Sequence, residues 1–78
     1  MTMVDSERHS SHRLWRLRKR DKYVDAELRG VDGDVVEIRF LLNGERTYKR
    51  QWPTRGEALA EAAERRAELE RQGWMEHW

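Results

Sequence analysis

Basic side chains crowd one short stretch of this chain. Between positions 8 and 22 stand Arg8, Arg13, Arg16, Arg18, Lys19, Arg20 and Lys22, against the single acid Asp21. Clustered cations bind phosphates by releasing the counterions that surround them. The same run also reads as a solvated strand and turn, because charged side chains are the ordinary covering of a wet surface. His9 and His12 form the other pair of chemical interest. Three residues apart, they would share one face of a helix, but two imidazoles do not complete a metal site and the chain has no Cys to add. No metal is expected.

Catalytic groupings do not stand out. There is no glycine-rich phosphate loop and no Ser-His-Asp ordering with supporting context. The three His fall near the two ends of the chain, where a rigid site is hard to build. Without Cys there is neither a disulfide framework nor thiol chemistry. The expectation is a non-enzyme with no cofactor and no small-molecule substrate, since a small open sheet offers little concave volume.

The elements that must position the basic residues follow from periodicity. Trp15 and Leu17 alternate with Arg16 and Arg18, which predicts a first strand from Arg13 with one wet face. After a turn at Arg20-Asp21-Lys22, Val24, Ala26 and Leu28 alternate with Asp25, Glu27 and Arg29 in a second strand. Asp32-Gly33 marks the next turn. The third strand points Val36, Ile38, Phe40 and Leu42 inward and Val35, Glu37, Arg39 and Leu41 outward; as the most apolar, it should be central. Asn43-Gly44 is a strong type I′ hairpin signal, because both residues tolerate positive φ. A fourth strand returns from Glu45, with Arg46, Tyr48, Arg50 and Trp52 on one face and Glu45, Thr47, Lys49 and Gln51 on the other, until Pro53 removes a ladder donor.

Thr54-Arg-Gly-Glu57 then reads as a capping box, in which the Thr54 hydroxyl accepts from the Glu57 amide and the Glu57 carboxylate reaches back to the Thr54 amide. Ala58, Leu59, Ala62, Ala63, Arg66 and Leu69 recur at helical spacing over about 55–72, and Gly73 supplies the stop. The predicted fold class is α+β: a four-stranded antiparallel meander with one C-terminal helix packed on one face, ββββα. Its predicted core is Trp15, Val24, Leu28, Ile38, Phe40, Tyr48, Leu59 and Leu69. A disordered arm over residues 1–11, a single domain over 12–74 and a tail over 75–78 complete the organisation.

At 78 residues the core must be small, so oligomerisation is one route to added stability. Lys and Arg number 16 against 15 Asp and Glu, and a net charge of +1 names no partner. No apolar run approaches the roughly 20 residues needed to cross a bilayer, and the N-terminus lacks the apolar segment of a signal peptide. A cytoplasmic location with no membrane partner is expected.

Strands three and four followed by Trp52-Pro-Thr-Arg-Gly-Glu-Ala58 resemble the Arm-type DNA-binding domain of tyrosine recombinases and the related plant ethylene-response DNA-binding domain. In those families a three-stranded sheet precedes an aromatic residue, then Thr, a basic residue and Glu-Ala opening a helix that packs behind the sheet. The likeness covers about residues 35–70, with one extra strand before it. It implies a sheet face that enters the major groove, with Arg39 and Lys49 at the matched positions, and an accessory role.

The uncovered sheet face is predicted to carry Arg16, Arg18, Arg29, Arg39, Lys49, Thr47, Gln51 and Tyr23, with Asp25, Glu27, Glu37 and Glu45 among them. Arg matches guanine bidentately and Tyr can stack on bases, whereas cross-strand Arg–acid pairing is also the ordinary way to solvate such a face. The first functional expectation is a small binding protein for DNA or RNA, using Arg13, Arg16, Arg18, Arg20, Arg29, Arg39 and Lys49. The second is a protein–protein module, a homodimer or a subunit of a larger assembly. It would use Trp74 and Trp78 with the free edge of strand one, because Trp is enriched at interface centres.

Overall fold

In the computed structural model, which describes residues 11–76, the elements run β1 (Ser11–Lys19), β2 (Lys22–Asp32), β3 (Val35–Leu42), β4 (Glu45–Trp52), α1 (Arg55–Arg71) and β5 (Met75–Glu76). The predicted arm up to residue 10, His9 and Trp78 lie outside the described residues. One antiparallel sheet holds all the strands in the order β4-β3-β2-β1-β5. The ββββα arrangement is as expected, with β3 in the interior of the sheet. Two features differ. The first strand begins at Ser11, so Ser11 and His12 belong to the sheet, with His12 opposite Leu28. The segment after the helix adds β5 outside β1, pairing Leu17 with Glu76 and Arg18 with Met75.

The turns show why the strands end where they do. Asn43 and Gly44 have φ of 52° and 87°, the double positive φ of a type I′ hairpin. Asn43 is further fixed by exchanging bonds with Tyr23, its amide donating to the Tyr23 carbonyl at 2.8 Å and its Oδ1 accepting from the Tyr23 amide at 3.0 Å. The β2–β3 turn centres on Gly33-Asp34, one residue later than the dipeptide signal, because Asp32 still pairs with Val35 and Gly33 supplies the positive φ.

The helix starts at the predicted cap. The Glu57 amide donates to the Thr54 hydroxyl at 3.3 Å as expected, but that hydroxyl donates to Glu57 Oε1 at 3.0 Å, so the carboxylate meets the Thr54 side chain where the predicted box had it meet the Thr54 amide. Thr54→Ala should lower stability by about 1 kcal/mol, read as a shift of the urea midpoint; an unchanged midpoint would remove the cap from the account. At the other end the amides of Gly73 and Trp74 donate to the carbonyls of Glu70 and Leu69, and Gly73 has φ 100°. This is a Schellman stop. Lys19 Nζ donates to the Gln72 carbonyl at 2.8 Å, placing a cation at the negative end of the helix dipole.

The core contains Trp15, Leu17, Ala26, Leu28, Val36, Ile38, Phe40, Ala58 and Ala62, with Val24, Tyr48, Trp52, Leu69 and Trp74 packed against it. The helix is rotated from the predicted stripe: Leu59 is 38% exposed and Ala63 is exposed, while Ala58 and Ala62 are buried. Two polar contacts account for the rotation. Trp15 Nε1 donates to the Ala62 carbonyl at 3.2 Å. Glu61 accepts from Tyr48 Oη at 2.7 Å and from Trp52 Nε1 at 2.6 Å, turning an acid toward the sheet where the aromatic polar tips need an acceptor. Ala at the contact lets the helix lie close, and Arg65 covers Phe40 with its guanidinium 5.3 Å from the ring centre. No helix among the described residues is long and apolar enough to cross a membrane.

Candidate nucleic-acid interface

The helix covers one face of the sheet and leaves the other open. Residues directly opposite on antiparallel strands share a face, so the register assigns each side chain. β1 presents Ser11, Arg13, Arg16 and Arg18; β2 presents Tyr23, Asp25, Glu27 and Arg29; β3 presents Val35, Glu37, Arg39 and Leu41; β4 presents Arg46, Lys49 and Gln51.

Two bulges set the cation content of this face. In β1 the register shifts at Leu14, so Trp15 pairs with Ala26 on the covered side while Arg13 pairs with Glu27 on the open side. Unbroken alternation would have put Arg13 beside Trp15. In β4 the register shifts at Thr47, so Tyr48 pairs with Phe40 while Arg46 pairs with Leu41. This corrects the expected faces of β4. Arg46 moves to the open face, Glu45 joins Leu42 on the covered side, and Thr47 turns its hydroxyl to the Phe40 carbonyl at 3.3 Å. Arg50 stays with the covered side as expected, its guanidinium 4.0 Å from the Trp52 ring centre. A bulge inserts one unpaired residue and re-aims its neighbours, and each of these brings an arginine outward.

The middle of the open face is an ion-pair lattice. Arg16 grips Asp25 with two bonds, Nε to Oδ1 at 2.6 Å and Nη2 to Oδ2 at 2.9 Å, and lies 4.4 Å above the Tyr23 ring. The bond to Asp25 raises the Arg16 pKa further above its already high ordinary value, outweighing the lowering by burial. Arg29 Nη2 donates to Glu37 at 3.3 Å, and Arg39 Nη2 donates to Glu27 at 3.1 Å and to Ser11 Oγ at 3.4 Å. Glu37 and Asp25 are only 3% and 5% exposed, with the guanidinium groups of Arg29 and Arg39 against Glu37 and that of Arg16 against Asp25. The Nε atoms of Arg29 and Arg39 are buried with no hydrogen-bond partner; Arg39 Nε lies 3.9 Å from Glu37 Oε2.

The predicted basic residues therefore divide. Arg16, Arg29 and Arg39 are held by acids. Arg13, Arg18 and Lys49, joined by Arg46, have no acidic partner among the described residues and lie on β1 and β4, to either side of β2 and β3. Arg20 sits in the β1–β2 turn, its carbonyl accepting from Arg18 Nε at 3.1 Å. Trp74 is half-buried against the core. Arg46 was not foreseen as a site residue; the available signal was that strict alternation would turn both it and Arg50 toward the helix. Among the described residues no group of three or more His, Cys, Asp or Glu is arranged to hold a metal, and His12 lies in an extended strand instead of on a helix. No family model matches this chain, and neither the curated proteins nor the solved structures searched contain a match.

Proposed function

We propose that this is a non-enzymatic binding protein whose open sheet face docks on the sugar-phosphate backbone of a nucleic acid. The carrying observation is the pair of bulges, which place Arg13 and Arg46 outward on β1 and β4, to either side of β2 and β3. Adjacent strands are about 4.8 Å apart, so the β1 and β4 cations stand roughly 14 Å from one another across β2 and β3. The internal ion pairs keep the centre of the face rigid and nearly neutral, and the flanking cations remain available for phosphate. Of the two positions matched by the resemblance to Arm-type DNA-binding domains, this reading keeps Lys49 as a contact, whereas Arg39 is held by Glu27, and it places the face on the backbone instead of in the major groove.

Titrating short DNA and RNA strands and duplexes over a salt series tests it. With up to four phosphates engaged, log K should fall against log salt with a slope of about −2 to −4. Arg13→Glu with Arg46→Glu should weaken low-salt binding about tenfold or more without lowering the melting midpoint, since both side chains are exposed. Absence of binding at low salt, or indifference to the double change, would end the reading. The second reading, a module that docks on another protein or a second copy, is favoured by Met75, which lies 70% exposed next to Trp74 on the outermost strand. Concentration-dependent association that persists at high salt would favour it over the first.

A further inference from the structure

The β1–β2 turn breaks two local rules at once. Arg20 has φ 59°, a left-handed conformation in a position where two-residue hairpins favour glycine, asparagine or aspartate. Lys19 and Lys22 are direct cross-strand partners, so two like charges face each other where an opposite pair would be favourable. Strain and unfavourable pairing that persist at one place are a pointer to function. The same turn forms one wall of a cleft of about 300 Å³ lined by Lys19, Arg20, Asp21, Lys22 and Trp74. That volume is at the lower end of sites that hold a small ligand.

The cleft is braced by hydrogen bonds on both sides. Trp74 packs against the core and its amide is tied to the Leu69 carbonyl at 3.1 Å. Lys19 is anchored on the Gln72 carbonyl, and Arg18 braces the turn through the Arg20 carbonyl. Asp21 is the one acid among the described lining residues, which are together net positive. An aromatic plane beside two cations, Arg20 and Lys22, whose side chains have no bonded partner among the described residues, suits a planar group that carries a negative charge. By alternation Lys19 and Lys22 point to the helix side and Arg18 to the open face, so a strand bound on the face reaches the cleft by passing around the β1–β2 turn.

We infer that this cleft takes one unpaired nucleobase of a bound strand, stacked on Trp74, with its phosphate held by Arg20 and Lys22. The inference rests on the nucleic-acid reading above and narrows it to strands with unpaired bases. The test compares a short oligothymidylate with an abasic strand of the same length and charge on the intact chain, with a ribose series beside it to distinguish RNA from DNA by the tighter binder. The base-bearing strand should bind about tenfold more tightly, and Trp74→Leu should abolish that difference while the salt slope stays. Arg20→Gly should raise the melting midpoint and weaken both strands severalfold, because it relieves the left-handed residue and removes a phosphate contact. Equal affinity for the two strands would overturn the cleft and leave the face reading standing, whereas no binding of either would overturn the face reading itself. If Trp74→Leu does not fold, Arg20→Gly and Lys22→Gln decide, and full affinity in both would overturn the inference.

Discussion

Trp15→Ala is expected to cost about 3–5 kcal/mol, among the largest losses for truncation of a core side chain. A domain of this size has a total stability on the order of 4–12 kcal/mol, so the variant would stand near the edge of folding. Trp15 is 6% exposed, its ring centre 6.0 Å from that of Phe40, and its indole nitrogen donates to the Ala62 carbonyl. It joins the sheet to the helix by packing and by a buried hydrogen bond together. Trp15→Phe keeps most of the ring and should lose less, about 1–3 kcal/mol, for the missing bond and the gap. Urea denaturation followed by far-ultraviolet circular dichroism measures both, and a Trp15→Ala midpoint close to that of the native chain would refute the proposed core.

The second large effect couples stability to binding in opposite directions. Glu37 is buried between Arg29 and Arg39, so Glu37→Gln leaves two guanidinium groups with less compensation. Removing one partner of a fully buried pair costs 3–5 kcal/mol, but both arginines keep more than a fifth of their side-chain surface in water. Discounting for that screening, about 1–3 kcal/mol is expected. The same change adds one net positive charge to the open face, which should tighten low-salt binding of a nucleic acid by about three- to tenfold. Destabilisation with no gain in affinity would mean that the ligand does not meet this face.

Much of the fold was legible because its signals are local. Asn43-Gly44, Gly33, Thr54 and Gly73 each act through their own backbone angles or side-chain reach, and apolar alternation in β2 and β3 is unbroken over the core positions. What escaped depends on partners distant in sequence. Leu14 and Thr47 are ordinary strand residues, and nothing in either marks a bulge until the neighbouring strand sets the register. Met75-Glu76 is too short to show a period, and only the uncovered edge of β1 makes it a strand. The same limit applies to the interface: alternation placed Arg16, Arg29 and Arg39 on one face with Asp25, Glu27 and Glu37, but which acids would be buried under which guanidinium groups is decided by cross-strand geometry. Glu61 was hidden for a related reason, being one of several acids on the helix until Tyr48 and Trp52 are seen to need an acceptor.

The pairing of β5 with β1 also governs the order in which this protein can assemble. Three hairpins connect β1 to β4 through short turns, contacts that form in microseconds because little chain entropy is lost in closing them. The Leu17–Glu76 pair joins strands that the three other β-strands and the helix separate in sequence, so this contact closes the longest loop in the sheet and is expected late in folding. Until then the outer edge of β1 is a template for any passing strand. The two residues of β5 shield only Leu17 and Arg18 of that edge, and Ser11 to Arg16 have no strand partner on that side among the described residues, so the protection against a foreign strand is confined to the end of β1 nearest the β1–β2 turn.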